Sequence, residues 1–292
     1  MKFTKMEGCG NDYIYIDARS TEADWPTLSR VMSDRHFGVG GDGLILIIES
    51  GIADLKMRMF NADGSESEMC GNGIRCFAKY AIEHGIVPAS EKGLTVETLA
   101  GIRTVFPVMD NGGVSRARVA MGVPYFKLEE IPVNPDDGGG RRIGEALVNY
   151  PMSIDGVDLQ LAFVSMGNPH AVAFIHQPVD EFPLRTVGPQ LEHHPMFPRR
   201  VNFEIVNVMG PGKLNARVWE RGSGETMACG TGACAVAVAA RLLDITKAPH
   251  DITNDAVDIT LPGGTLAITW DGKGEVYLEG PAVEVFSGEW RG

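Results

Sequence analysis

"RMFNADGSESEMCGNG" (58–73) and "RVWERGSGETMACGTG" (217–232) align without a gap, and that alignment decides how the chain is read. Arg58 falls on Arg217, Glu66 on Glu225, and Cys70, Gly71 and Gly73 on Cys229, Gly230 and Gly232; Phe60 sits opposite Trp219 and Asn61 opposite Glu220. Upstream, "FTKM" (3–6) matches "FVSM" (163–166), and each is soon followed by a Gly-Asn pair, Gly10-Asn11 and Gly167-Asn168. Downstream, each cysteine leads into an apolar, helix-compatible stretch, "IRCFAKYAIEHG" (74–85) and "ACAVAVAARLLD" (233–244). Gly85 suits a helix C-terminal cap. Strand-like segments follow, in which Asp110-Asn111-Gly112 and Asp271-Gly272 read as hairpin turns. The shared order of start, Gly-Asn, cysteine, helix and hairpins is that of a duplicated chain. Each copy is predicted to hold several strands and one central helix, with the cysteine at or just before the helix start. The boundary falls between about 124 and 160, where "NPDDGGGRR" (134–142) reads as an exposed loop. The domains expected are therefore 1–125 with Cys70, a linker over 126–160, and 161–292 with Cys229.

At 292 residues the chain suits one large domain or two of about 150 each. A hydrophobic share of 44% with 22% charged residues is ordinary for a globular protein. The net charge of −12 argues against nucleic acid or an anionic membrane as partner, since both call for clustered Lys and Arg. The N-terminal "MKFTKMEGCGNDYIYID" has no apolar signal-peptide core, and "GACAVAVAARLL" is broken by Arg241. That run falls short of the roughly 18–20 residues that cross a bilayer, so a cytoplasmic protein is expected. There, Cys9, Cys70, Cys76, Cys229 and Cys234 should be thiols, metal ligands or catalytic groups rather than a disulfide framework.

The thiolate is the reactive form of cysteine, and a helix N-terminus favours it through unpaired amides and the positive end of the dipole. Glycines in Cys-Gly-Xaa-Gly let the backbone approach a bound anion such as a carboxylate. One such site suggests a nucleophile. Two, one per half, suggest a cleft with a cysteine on either side, suited to removing a proton from one face of a carbon and returning one to the other. Other readings stay open. Cys76 and Cys234, inside the helical stretches, fit small buried hydrophobes, and Cys9 fits core or pocket lining. The cysteine spacings lack the short recurrent intervals of a zinc site. A Cys-His nucleophile would explain one cysteine and leave the other. In "SMGNPHAV" (165–172), Asn168 and His170 occupy a turn where a histidine orients substrate or tunes a thiol. Glu220 and Arg221 in "WERGSGE" fit a solvated ion pair or a carboxylate clamp. "GVGGDGL" (38–44) lacks the Lys-Ser/Thr of a phosphate loop, and no motif asks for a cofactor.

"GCGNDYIYID", "HFGVGGDGLILI", "FNADGSESEMCGNGIRCFA", "SMGNPHAV", "RVNFE" and "ERGSGETMACGTGACA" together resemble the diaminopimelate epimerases, in that family's order and over nearly the whole chain. The resemblance implies an α/β (α+β) fold of two pseudo-symmetric domains, each a bent, mostly antiparallel sheet around a central helix. It implies a cytoplasmic homodimer that interconverts LL- and meso-2,6-diaminopimelate without cofactor or metal, a step toward lysine and peptidoglycan precursors. Carried over by residue, Cys70 and Cys229 resemble the acid/base pair, with His170 and Glu220 beside the reacting centre. Asn11, Asn61, Asn168, Asn202, Glu220 and Arg221 resemble the substrate-binding set. The amides of Gly71-Asn72 and Gly230-Thr231 would cradle the reacting carboxylate. The chain departs from the pattern at Gly43, where some members carry a substrate-touching glutamine, and at Cys9, where leucine is frequent. The stretch 127–150 belongs to none of these blocks. The alternatives are a related racemase of the proline racemase type and a non-catalytic binding protein on the same scaffold.

Overall fold

In the computed structural model, which describes residues 1–136, 138–245 and 256–292, the sequence repeat becomes a repeat of strand pairings. Strands β1 (Lys2–Gly8) and β2 (Asn11–Asp17) form an antiparallel hairpin. Its two-residue turn places Cys9 at φ 54° and Gly10 at φ 80°, the left-handed pair such turns require. Helix α1 (Trp25–Ser33) then crosses to β3 (Gly43–Ile48), which runs parallel to β2. Strand β4 (Leu55–Asn61) returns antiparallel and pairs with the short β5 (Glu66–Ser67). Helix α2 (Gly71–Glu83) follows. Next come β6 (Leu94–Thr98), parallel to β4, then β7 (Gly101–Asp110) and β8 (Gly113–Gly122), joined through Asn111 and Gly112 at positive φ as expected of a hairpin turn. The glycine cap is also as read: Gly85 has φ 69°, and the amide of Ile86 reaches back to the carbonyl of Ala81.

The second round opens with the small pair β9 (Arg141–Ile143) and β10 (Ala146–Val148), then β11 (Tyr150–Ile154). Strand β12 (Val157–Ser165) lies antiparallel to β13 (Pro169–Ile175), as β1 does to β2. Helix α3 (Leu184–Glu192) leads to β14 (Asn202–Gly210), parallel to β13, and β15 (Lys213–Glu220) returns antiparallel. After β16 (Gly224–Thr226) come helix α4 (Gly230–Leu242), β17 (Ala256–Leu261), β18 (Gly264–Thr269) and β19 (Val276–Pro281). Asp271-Gly272 lies in the β18–β19 connection, where Asp271 Oδ1 accepts from the amides of Lys273 and Gly274. The matched Arg-Glu pairs form in both rounds: Arg58–Glu66 at 2.7 Å across β4–β5 and Arg217–Glu225 at 2.6 Å across β15–β16.

The last strand, β20 (Val283–Glu289), pairs antiparallel with β1. One unit is thus Met1–Ala120 with Glu279–Gly292, and the other Met121–Leu278, whereas the sequence reading placed residues up to 292 in the second domain. The stretch read as a linker, 126–160, holds β9, β10, β11 and the start of β12. It belongs to the second unit because Ile131, Val133, Leu147 and Tyr150 are buried in that unit's core. Asp137, in the loop read at 134–142, lies outside the described residues.

Strand β3 is apolar throughout because both of its faces are covered. Leu44 and Leu46 join Trp25 and Met32 under α1, while Ile45 points at Gly73 of α2. In the second unit Phe203 and Ile205 of β14 pack with Leu184, Val187 and Leu191 of α3. No helix among the described residues is long and apolar enough to cross a membrane.

Candidate active site

Cys70 is the N-cap of α2, in extended conformation (φ −126°, ψ 121°), and its Sγ accepts from the Gly73 amide at 3.4 Å. The Tyr13 hydroxyl donates to the same sulfur at 3.7 Å, and Tyr15 fixes the first turn by donating to Gly73 O at 2.8 Å. The first-turn amides of a helix have no partner within it, so those of Gly71 and Asn72 suit a carboxylate. Asn72 donates from Nδ2 to Asn11 Oδ1, and Asn11 donates in turn to Asp42 Oδ2 at 3.2 Å. At the other end Arg75, fully buried, donates to Asn72 Oδ1 at 2.8 Å and to Gly71 O at 3.0 Å. A guanidinium only donates and a carboxylate only accepts, so both carboxamides between them are held in one orientation. Asn61 closes β4 opposite Gly43 and donates to Ser65 Oγ at 2.9 Å, apart from that chain. A Cβ at Gly43 would meet Phe60 O at 2.1 Å, so the close β3–β4 approach needs a glycine there.

Cys229 repeats the arrangement in the second unit. It caps α4 in extended conformation (φ −109°, ψ 114°), and its Sγ accepts from the Gly232 amide at 3.3 Å. Thr231 Oγ1 lies 3.4 Å from the sulfur and accepts from Asn168 Nδ2 at 3.1 Å. His170, fully buried, faces Asn168 Oδ1 through Nε2 at 3.0 Å and Glu204 Oε1 through Nδ1 at 2.7 Å. Asn202, paired with His170 across β13–β14, donates to Pro169 O at 2.9 Å and accepts from the Arg221 amide at 2.8 Å. The Glu220 carboxylate accepts from Thr226 Oγ1. Asn168, His170, Asn202, Thr231 and Cys229 thus join one set of contacts with the Arg221 backbone. The Arg221 guanidinium instead extends to Arg199 O at 3.2 Å in an exposed position.

Burial pushes the Cys229 thiol well above its ordinary value, and the charges of Glu220 and Glu204 push the same way, so the group is a thiol at neutral pH. Burial likewise raises Glu220, against the hydrogen bond from Thr226. A carboxyl raised in the folded state binds its proton more tightly there than in the unfolded chain. Stability is therefore lost as pH rises from the unfolded carboxylate range through the folded value. Glu220→Gln, which cannot ionise, is expected to raise the thermal midpoint at pH 8 while lowering turnover. Scanning calorimetry at pH 4 and pH 8 checks this, the gain appearing only at pH 8. The other thiols sit as read. Cys76 is buried, pushed up to about 11 by burial, and faces Glu7 O at 3.2 Å. Cys234 is fully buried. Cys9 lies in the hairpin turn with its sulfur 3.7 Å from Arg75 Nη2. Sequence reasoning passed over Tyr13, Asp42, Arg75 and Glu204. The one signal was a charge inside an apolar run, Arg75 in "IRCFA" and Glu204 in "VNFEIV".

The diaminopimelate epimerase family model matches the chain in two stretches, 3–127 and 162–285, one per cysteine-capped helix. The chain belongs to the diaminopimelate epimerase family. It is 47% identical to the diaminopimelate epimerase of Acetivibrio thermocellus, over 99% of this chain and 98% of that one. It is 48% identical to that of Desulfovibrio desulfuricans, with the same coverage, and 45% to that of Methanococcus maripaludis, over 99% of both. Among solved structures, a PhzF-family phenazine biosynthesis protein from Bacillus anthracis has a TM-score of 0.65 at 17% identity, over 99% of this chain and 98% of that one. A probable proline racemase from Agrobacterium radiobacter has a TM-score of 0.66 at 13% identity, over 99% and 92%. These two are likenesses of fold alone.

Proposed function

We infer that this chain is an isomerase that interconverts LL- and meso-2,6-diaminopimelate, exchanging protons through Cys70 and Cys229 with no cofactor. The observation that carries the reading is the repeated cap: each unit starts its central helix with a cysteine whose sulfur accepts the amide three residues on. In one direction a cysteine thiolate takes the α-proton and becomes a thiol, leaving a carbanion. The other cysteine's thiol gives its proton to the opposite face and becomes the thiolate. The product has the inverted centre, and the two sulfurs have exchanged roles, ready for the reverse reaction. Cys70 and Cys229 are thus assigned as the base in opposite directions of the reaction.

The first-turn amides at Gly71-Asn72 and Gly230-Thr231 are assigned to the carboxylate, whose charge grows as the proton leaves. Asn11, Asn61, Asn168, Asn202, Glu220 and Arg221 are assigned to substrate binding, with His170 and Glu220 beside the reacting carbon. The reading includes a small-molecule amino-acid substrate, a homodimer, a cytoplasmic setting and a place in lysine and peptidoglycan precursor synthesis. Support for the substrate comes from the family and its named relatives. The test is proton NMR of LL-diaminopimelate in D2O with reductant and no added cofactor. Deuterium entering the α-position as the meso isomer forms is the expected result. Reduced, folded protein that exchanges nothing on diaminopimelate but exchanges proline would move the chain to the racemase reading.

A further inference from the structure

Glu204 is a buried carboxylate that the reading above does not use. It is 1% exposed and stands on β14 two residues past Asn202, where β3 has Ile45 two residues past Gly43. Ile45 packs on Gly73 as Glu204 packs on Gly232, so a charge fills a place that the other half fills with an apolar side chain. Its Oε1 meets His170 Nδ1, while Oε2 is buried without a hydrogen-bond partner. An apolar residue would serve packing better, so a charge at this place needs another reason.

From Oε1 a continuous chain of contacts reaches the sulfur: Glu204 to His170 at 2.7 Å, His170 to Asn168 at 3.0 Å, Asn168 to Thr231 at 3.1 Å, and Thr231 to Cys229 at 3.4 Å. The ionised carboxylate only accepts, so Nδ1 donates to it. Asn168 turns Nδ2 to Thr231 and Oδ1 to Nε2, so Nε2 donates as well. With Glu204 as the carboxylate, these two contacts give the ring both protons, balanced by Glu204. Having accepted from Asn168, the Thr231 hydroxyl keeps its own proton for the sulfur. The geometry points to Glu204 as a positioning residue that sets the sense of this chain, so that Thr231 donates to Cys229 whenever that sulfur is a thiolate. The assignment rests on the reading that Cys229 exchanges the substrate proton.

The charged groups acting on Cys229 come from neighbouring strands: Glu204 of β14, Glu220 of β15 and, facing Glu204, His170 of β13. Helix α4 also packs on β12, β17 and β18, whose buried residues are apolar apart from Ser165. Replacing Glu204 by Gln keeps an oxygen facing Nδ1 but removes the balance for the second ring proton. A ring with a lone pair at Nε2 then draws Asn168 Nδ2 toward it. Oδ1 faces Thr231 instead, and the hydroxyl proton goes to Asn168 rather than to sulfur.

The test is the pH-rate profile of iodoacetamide alkylation in the intact chain. Cys229 is followed in Cys70→Ala and Cys70 in Cys229→Ala, each by peptide mass mapping that separates it from Cys9, Cys76 and Cys234. Because Glu204→Gln also takes the second proton off the ring, the pair stays neutral and the lost Thr231 donor decides the sign: alkylation of Cys229 is expected to slow about tenfold at a fixed pH, with its profile moved upward and Cys70 unmoved. An unchanged Cys229 profile, or equal changes at both cysteines, overturns the assignment. Should Glu204→Gln fail to fold, nitrogen-15 NMR of the unaltered protein decides, with His170 assigned by its absence in His170→Asn. Two ring-bound protons support the chain; a single one overturns it. None of these readouts uses diaminopimelate, so an effect here without epimerisation would count against the substrate and not against Glu204.

Discussion

Cys70→Ala and Cys229→Ala are each expected to abolish epimerisation, by about 10^3-fold or more, while leaving a folded protein. The loss is large because the two sulfurs divide one reaction. Without the first there is no base, and without the second the carbanion returns its proton to the face it came from. Cost to the fold is small. Each sulfur accepts one amide, from Gly73 or Gly232, and removing an N-cap acceptor costs about 1 kcal/mol. The check pairs deuterium incorporation with urea midpoints. Either variant retaining parental turnover would remove the two-cysteine mechanism.

Arg75→Leu is expected to be the most damaging substitution away from sulfur, by about 3 kcal/mol, because it strands several buried acceptors at once. Arg75 is 0% exposed and donates to Gly71 O, Asn72 Oδ1 and Pro281 O, the last at 3.1 Å. The contact with Pro281 ties α2 to the segment entering β20 within the first unit. The contact with Asn72 orients Asn72 and, through it, Asn11. Stability and activity should therefore fall together, with urea unfolding reading the first and the deuterium assay the second. Arg75→Lys should recover only part of the stability, since an ammonium lacks the planar fork that reaches acceptors on two sides. A Leu variant as stable as the parent would show that the burial of this cation carries no weight.

Much of the architecture could be read directly. The Cys-Gly-Xaa-Gly pair marked both helix starts, Gly85 marked a helix end, and Asp110-Asn111-Gly112 marked a hairpin. Each of these depends on the φ preferences and caps of a few neighbouring residues, which short sequence windows encode. The alignment matched Arg58 with Arg217 and Glu66 with Glu225, and the structure adds that each Arg pairs with its Glu across a single strand return.

What escaped the sequence has one physical cause: it depends on which distant strands lie side by side. β20 joins the first unit because its backbone pairs with β1, at the other end of the chain. The stretch 126–160 joins the second because its few apolar residues find that unit's core. Asp42 reaches Asn11, Glu204 reaches His170 and Arg75 reaches Pro281 only through the parallel registers β2–β3 and β13–β14 and the return of the C-terminal segment. The sequence alone determined the duplication, the two cysteine-capped helices and the family. The tertiary structure decided which buried charges orient the groups around each sulfur, because a buried charge is defined by its partners and those partners are brought together by register.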